Sequence, residues 1–411
     1  MNTKTCKKYA EVAVKIGVNI QKGQDAIIFA STRQANFVKY LVKECYKSGA
    51  RKVRVEFHDE EIDKLNYKYE SAKVLKNIDN WEIEKAKARS EQLPVLIHVD
   101  DDNPDAFSKL DLKKINDARI ARRMAVKQYK DKEFLYCQWV IIALPSESWA
   151  KKVFPNETKK NAMKLLESAI LKTARIDVED PVYAWEEHIK DLKSHANYLN
   201  DINLDYLVYT SKNGTNLKIK LHPKHVWVSA RSKSLQNIEY CANLPTEEVF
   251  TMPLRNGVDG IVYSSKPLVY NGQIIEDFAL TFKEGRIVKV EAKTNQEVLQ
   301  NAIDSDEGSH YLGEVALVPY NSPINQTGLL FYNTLFDENA CCHLAFGQAF
   351  EENLNGYESL SKEELIKEGF NESVLHVDFM IGSEDLSIKG YDKNGKEYII
   401  FEDGIWAYHK N

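Results

Sequence analysis

The sequence has 411 residues, of which 43% are hydrophobic and 28% are charged, and it carries a formal net charge of -6 with a pI near 6.0. This length allows two or three domains with a substantial core, so a small scaffold held together by disulfides is excluded. The mildly acidic balance argues against a nucleic-acid-binding protein, because contacts to phosphates require a basic face.

The N-terminal residues show no sign of export or membrane insertion. No long apolar run follows the first lysines, and no stretch approaches the ~18 consecutive apolar residues that a membrane span requires. The six cysteines are scattered apart from the adjacent pair Cys341 and Cys342, and they have no zinc-finger spacing. We therefore expect a cytoplasmic protein with reduced thiols and no membrane contact.

In the first half of the chain, predicted helices alternate with predicted strands. The apolar spacing predicts helices at 7–16 and 37–48, and strands at 25–30, 52–57, 93–98 and 139–144. This order predicts a parallel sheet with crossover helices. A helix rich in Arg and Lys at 112–129 is interpreted as a solvated surface element. No glycine-rich phosphate loop occurs, which argues against nucleotide binding.

The pattern changes at about residue 198. Short alternating strands follow at 217–221, 226–230 and 286–292, separated by Asn-Gly and Glu-Gly turns. The predicted fold is therefore a multidomain combination of α/β and α+β. An N-terminal parallel-sheet α/β domain at 1–195 would be followed by a β-rich, metal-binding α+β domain at 196–411.

The segment VLHVDF at 374–379 is predicted to be a strand that presents two possible metal ligands. Residues at i and i+2 of a strand point to the same face, so His376 and Asp378 would project together. One nitrogen and one oxygen ligand on a rigid strand suit zinc, cobalt or manganese. The alternative is a half-exposed His–Asp hydrogen-bonded pair without a metal.

Two further segments carry carboxylates in apolar surroundings. In TEEVF, Glu247 and Glu248 are adjacent in a predicted strand, so only one of them can point into a given site. In LGEVALVP, Glu314 is embedded in a predicted strand, where a lone carboxylate is costly unless it is paired or binds a metal. An Arg partner for Glu314 is the structural alternative.

The segment FDENACCHLAFGQAF at 336–350 is interpreted as a helix with Asp337 as its N-cap. His343, Gly347 and Phe350 would then lie on one helical stripe, and Glu338 would lie near the helix start. Glycine inside a helix costs about 1 kcal/mol relative to alanine, so its presence indicates that something approaches this face closely.

Taken together, these side chains exceed what one metal ion needs. The charge of four carboxylates would balance that of two divalent cations, and the two neutral imidazoles would complete the ligand set. One carboxylate would bridge the two cations. The predicted ligands are Glu248, Glu314, Glu338, His343, His376 and Asp378. The sequence leaves open which carboxylate bridges.

The same segments resemble the aminopeptidase T / AmpS / PepS family. The phrases NLPTEEVFTMP, LGEVALVP, LFDENACCHLAFGQAF and VLHVDFMIG match its metal-binding segments in order and separation, and WVIIALPSESWAKKVFP and IFEDGIWA also fit. The resemblance implies a homodimer of two-domain chains with the metals in the second domain. It implies metal ligation by five of these residues, namely Glu248, Glu314, His343, His376 and Asp378, and matches Glu338 to a further carboxylate. Phe350 departs from the family, which usually has tyrosine there.

The implied reaction is hydrolysis of the N-terminal peptide bond of short peptides with two divalent ions (Zn, Co or Mn). The general base would be Glu247 or a carboxylate of the metal cluster. The ring of Phe350 would face the metal site, and the alternative is that Phe350 only packs in the core. The alternatives are a dinuclear hydrolase of phosphoesters and a metal-stabilised binding protein without catalysis.

Overall fold

The computed structural model describes residues 1–101 and 103–408. The helices are α1 (Thr3–Val12), α2 (Ala35–Lys47), α3 (Glu60–Tyr69), α4 (Ala72–Lys76), α5 (Asn80–Gln92), α6 (Leu112–Tyr136), α7 (Glu147–Val153), α8 (Lys159–Thr173), α9 (Pro181–Ile202), α10 (Gln296–Ile303), α11 (Thr334–Asp337) and α12 (Lys362–Glu368). Within the described ranges, no helix is long and apolar enough to cross a membrane.

The strands are β1 (Asp25–Ser31), β2 (Lys52–His58), β3 (Val95–Asp100), β4 (Trp139–Ala143), β5 (Tyr206–Thr210), β6 (Asn216–Leu221), β7 (Ser232–Lys233), β8 (Glu239–Tyr240), β9 (Asn243–Leu244), β10 (Val249–Thr251), β11 (Pro253–Tyr263), β12 (Leu268–Tyr270), β13 (Gln273–Ile275), β14 (Ala279–Lys283), β15 (Arg286–Glu291), β16 (Leu312–Leu317), β17 (His343–Gly347), β18 (His376–Met380), β19 (Ser387–Tyr391), β20 (Glu397–Glu402) and β21 (Ile405–Trp406).

The chain forms two compact units. The first contains Met1–His188 and Arg231–Pro245, and the second contains Ile189–Ala230 and Thr246–Asn411. The division into domains at 1–195 and 196–411 stays a prediction, because compact units show which segments pack together and not which segments fold independently.

The first unit is built on a parallel sheet with the order β2-β1-β3-β4-β9. Most residues of its inner strands are buried and the others are half-buried, as expected when helices cover both faces of a parallel sheet. The predicted parallel-sheet α/β domain is confirmed.

The second unit is mostly antiparallel sheet. An eight-stranded sheet has the order β15-β14-β11-β6-β5-β19-β20-β21, and a four-stranded sheet has the order β10-β16-β17-β18. All strand pairs in the smaller sheet are antiparallel. The β-rich character predicted for the second half of the chain is therefore also confirmed.

The helix predicted over FDENACCHLAFGQAF is wrong. Only α11 and a short 3-10 turn (Glu338–Ala340) are helical there, and His343–Gly347 forms β17. β17 pairs with β16 on one side and β18 on the other, and all five of its residues are buried. A short apolar run buried on both faces has no period that separates strand from helix, which explains the error.

Two local predictions in this region also need correction. Asn333 rather than Asp337 caps the N-terminus of α11, because its side chain accepts a hydrogen bond from the Leu335 amide at 3.1 Å. Glu247 and Glu248 precede β10, which begins at Val249, so they do not lie within a strand.

Candidate metal centre

One face of the four-stranded sheet carries most of the predicted ligands. Antiparallel pairing places Glu314 opposite Ala345, and Ala345 opposite Asp378. Opposed residues in a sheet point to the same face, as do residues two apart along a strand. His343 and His376 therefore share this face with Glu314 and Asp378. Ala345 lies between them, and its small side chain leaves space that a longer one would fill.

The first group of possible ligands consists of Glu248, Glu314 and His343. The Nε2 atom of His343 lies 3.3 Å from Oε2 of Glu248 and 3.6 Å from Oε1 of Glu314. One ligand atom from each of the three residues lies within 4.8 Å of the others. Such a group can hold one metal ion, since two carboxylates and an imidazole are suitable ligands for zinc and similar ions.

The second group consists of Glu314, His376 and Asp378, and it meets the same 4.8 Å criterion. The Nε2 atom of His376 lies 3.1 Å from Oε2 of Glu314 and 3.1 Å from Oδ1 of Asp378. Glu314 therefore belongs to both groups and directs one carboxylate oxygen to each. This arrangement is the one expected of a carboxylate that bridges two ions.

The two imidazoles are held differently. The Nδ1–H of His376 donates to the carbonyl oxygen of Gln348 at 2.7 Å, which leaves Nε2 free to face the carboxylates. Metal-binding histidines are usually oriented by such a second hydrogen bond. The Nδ1 atom of His343 is buried and has no hydrogen-bond partner in the described part of the chain, so this ring is oriented by packing and by the carboxylates at its Nε2 atom.

The carboxylates and imidazoles of the cluster perturb one another strongly. Although burial opposes the charged form of each ring, the carboxylate partners raise the pKa of His343 and of His376 well above the usual value. Burial also opposes ionisation of Glu314, but its hydrogen bonds to the two histidines outweigh that effect and lower its pKa.

Two acids in the cluster have a raised pKa, in contrast to Glu314. Burial is the main cause that raises the pKa of Glu248. The pKa of Glu338 is well above its usual value, because burial and the nearby Asp378 carboxylate both disfavour its charge. The negative charge of the carboxylates therefore exceeds the positive charge nearby, and protons on the two histidines balance only part of it. Divalent cations would displace those protons and neutralise the acids, so the donor set fits the predicted metals.

The remaining predicted site residues lie around these groups. Glu338 follows α11 and belongs to neither group, although its carboxylate is close enough to interact with Asp378. Glu247 is 4% exposed and is also outside both groups; its backbone N–H donates to Oδ1 of Asn339 at 2.7 Å. The roles predicted for Glu338 as a metal ligand and for Glu247 as a general base stay predictions.

Phe350 lies beside the second group, although the helical stripe that predicted this position does not exist. Its ring centroid is 4.7 Å from that of His376 and 5.9 Å from that of Phe250. The Phe350 ring therefore packs directly against a predicted metal ligand.

We expect Phe350→Tyr to raise kcat by about tenfold or more, a conservative fraction of the ~10²–10³ that one oxyanion donor contributes. The added hydroxyl would donate to charge that develops during the reaction. The measurement is kcat on several amino-acid p-nitroanilides at full metal content. An unchanged kcat would show that Phe350 only packs against His376.

A small recess opens next to the second group. Its volume is about 40 Å³, and its walls come from the segment before and within β12, the loop that leads into α11, and β18. Side chains of both polarities line it, including Leu268, Val269, Tyr332, Glu338, Asp378 and Met380.

Asp337 holds one wall of this recess in place, a role that the sequence did not reveal. Its carboxylate accepts the backbone N–H groups of Phe331 at 2.7 Å and Asn333 at 3.0 Å. Tyr332, between them, has a φ of 57°. This left-handed conformation is costly for a bulky residue and persists only where the surroundings impose it. Burial raises the pKa of Asp337 to about 7.

We expect Asp337→Ala to lower the free energy of unfolding by roughly 2–6 kcal/mol, since one buried and one partly buried amide lose their acceptor at about 1–3 kcal/mol each. Asp337→Asn keeps one acceptor oxygen and should lose less. Urea denaturation of the three proteins measures this order. Equal stabilities would mean that the loop finds other partners.

Comparisons with known proteins extend over nearly the whole chain. A family model described as thermophilic metalloprotease (M29) matches residues 2–406. Aminopeptidase AmpS of Bacillus subtilis (strain 168) is 44% identical over 97% of this chain and 98% of its own length. Aminopeptidase 2 of Geobacillus stearothermophilus is 40% identical over 98% of both chains. The solved structure of wild-type AmpT from Thermus thermophilus is 34% identical, with a TM-score of 0.91 over 98% of this chain and 99% of that one.

Proposed function

The chain belongs to the thermophilic metalloprotease (M29) family, as its motifs predict, and on this premise we propose that it is a metal-dependent aminopeptidase. Its substrates would be short peptides with a free N-terminus, from which it removes the first residue. Relatives named aminopeptidases, similar over nearly their full length, support this choice.

The observation that carries the proposal is the position of Glu314 in two groups of possible ligands. Its two oxygens face His343 on one side and His376 on the other. Two adjacent groups with a shared carboxylate support the predicted pair of ions, with Glu248 and Asp378 completing one group each. Divalent ions held there would act as Lewis acids that polarise the scissile carbonyl and lower the pKa of a bound water molecule towards neutrality.

The residues of the chain would supply orientation and proton transfer. The Gln348 carbonyl holds the His376 ring with Nε2 toward the carboxylates. The ring of Phe350 packs against His376, with Phe250 packed against Phe350, and would limit the access of water to that side of the imidazole. A carboxylate would accept the proton from the attacking water, and Glu247 or an acid of the cluster is proposed for this role.

Several finer predictions accompany this proposal. The metals would be zinc, cobalt or manganese, since imidazole and carboxylate ligands suit these ions. The protein would act in the cytoplasm, as its scattered cysteines indicate, and as a homodimer, as the family resemblance implies. Light scattering after gel filtration would measure the oligomeric state, and metal analysis of the purified protein would identify the ions.

Chelation tests the proposed chemistry directly. We expect EDTA to abolish hydrolysis of amino-acid p-nitroanilides, and Co²⁺ or Zn²⁺ to restore it, because ions that the carboxylates and imidazoles would hold can exchange with a chelator. Full activity of a preparation shown by metal analysis to contain no metal would contradict the proposal.

Substrate controls separate the proposed function from its rivals. Peptides with an acetylated N-terminus should not be cleaved if the free amine is required. Comparable rates on blocked and free peptides would indicate an endopeptidase. Turnover of p-nitrophenyl phosphate but not of p-nitroanilides would indicate a phosphoesterase, and metal binding without any turnover would indicate a binding protein.

A further inference from the structure

The loop between α10 and β16 carries an acid that belongs to neither metal group but is bonded to the segment that leads into β18. Asp306 is half-buried, and its Oδ2 atom accepts the backbone N–H of Val374 at 2.6 Å. Its Oδ1 atom accepts the hydroxyl of Ser373 at 2.8 Å, and also the backbone N–H of Ser309 at 2.7 Å. Asp306 and Ser373 are 67 residues apart in the sequence, so this acid joins two distant segments.

The two segments approach each other most closely at Gly308. A Cβ atom there would lie 1.8 Å from the carbonyl oxygen of Glu372 and 2.9 Å from Cβ of Ser373, so the approach requires glycine. Burial opposes the charged form of Asp306, but its hydrogen bonds outweigh that effect and lower its pKa. Asp306 is therefore a charged acceptor near neutral pH, which makes its hydrogen bonds stronger than those of a neutral group.

The segment that Asp306 fixes also holds the residue that orients His376. The backbone N–H of Ser373 donates to Oε1 of Gln348 at 2.9 Å, and the backbone N–H of Gln348 donates to the carbonyl oxygen of Leu375 at 2.6 Å. The carbonyl oxygen of Gln348 in turn accepts the Nδ1–H of His376 at 2.7 Å. A continuous path of hydrogen bonds therefore leads from the Asp306 carboxylate to the imidazole.

We propose that Asp306 is a positioning residue that acts through Ser373 and Gln348 on the second metal group, keeping its imidazole in the orientation that binds a divalent cation. This inference rests on the metal-dependent function proposed above. Residues that orient a metal-binding imidazole change metal affinity by about 10–100-fold, although they do not touch the metal.

The path predicts an effect on one ion only. It ends at His376, which belongs to the second metal group. In the first group, the Nδ1 atom of His343 has no hydrogen-bond partner among the described residues, so this imidazole is not reached in the same way. Loss of the Asp306 charge should therefore weaken the ion of the second group and leave the ion of the first group in place.

Asp385 provides a matched control for a role in stability alone. It is a half-buried acid of the same unit and also joins two distant segments, since it accepts the backbone N–H of Lys212 at 2.6 Å and the hydroxyl of Ser383 at 2.8 Å. These are the kinds of bonds that Asp306 makes, but the path described above does not pass through them. Asp385→Asn should therefore lower stability without a change in metal affinity.

The test measures how firmly each ion is held. Full-length proteins are loaded with Zn²⁺ and titrated with a chelator of known affinity, and the Zn²⁺ that stays bound is counted at each step. In Asp306→Asn, which keeps the shape but loses the charge, the Kd of one ion should rise by about 10–100-fold, and the Kd of the other should not change. Ser373→Ala should have the same selective effect, and the double variant should add little to it, because both residues lie on one path.

Three results would overturn the inference. They are unchanged Kd values in Asp306→Asn, equal weakening of both ions, and fully additive effects of the two substitutions. If Asp306→Asn does not fold, the Kd values of Ser373→Ala decide the same question. A wild-type protein that shows the selective effect but hydrolyses no peptide would refute the proposed function and support the positioning role, whereas a wild-type protein that binds no Zn²⁺ would refute both.

Discussion

Replacing Glu314 with Gln should remove both of the proposed metal ions and lower kcat/KM on amino-acid p-nitroanilides by roughly 1000-fold or more, because bound metal contributes several kcal/mol to such reactions. Glu314 is the residue common to the two groups, with one oxygen directed to each. Gln keeps the shape but loses the charge and one acceptor oxygen. Metal stoichiometry by mass spectrometry and steady-state kinetics on the same preparation measure the two effects together.

The control is Glu291→Gln, a half-exposed acid on the larger sheet of the same unit, paired at 2.9 Å with Lys289. It should keep full metal content and activity. If Glu314→Gln lost only one ion, or neither, Glu314 would not bridge two ions, although it lies in both groups of possible ligands.

Replacing His376 with Ala should remove the ion of the second group and lower activity by at least ~100-fold. Loss of a residue that only supports a metal ligand costs up to about 100-fold, so loss of a ligand should cost at least as much. His376 is held by the Gln348 carbonyl and faces Glu314 and Asp378 through Nε2. Its side chain is 22% exposed, so the fold should survive the truncation. The expected metal content is one ion per chain, against two in the wild-type protein.

His343→Ala provides the matched comparison, because it should remove the ion of the first group and leave the second. The two variants would then each retain one ion but bind it through different residues. An unchanged metal content in His376→Ala would remove the main support for the second group.

Local sequence determined the parts of the site that lie on one element. The strand period alone places His376 and Asp378 on the same face, and β18 has that geometry. The family motifs predicted the other acids and His343 as ligands, because each motif is short and contiguous. The α/β and β-rich halves also followed from sequence, since hydrophobic period depends on nearby residues.

The tertiary structure decided how these parts combine. The sequence could not show that Glu314 lies between His343 and His376, because only the pairing of β16 with β17 and of β17 with β18 brings these residues together. It assigned His343 to a helix because the apolar run that contains it is buried on both faces, and only flanking strands define such a run as a strand. It also could not show that Asp337 clamps the loop at Tyr332 or that Glu338 lines a recess. Those contacts depend on the path of the chain, whereas motifs and periods record only neighbours in sequence.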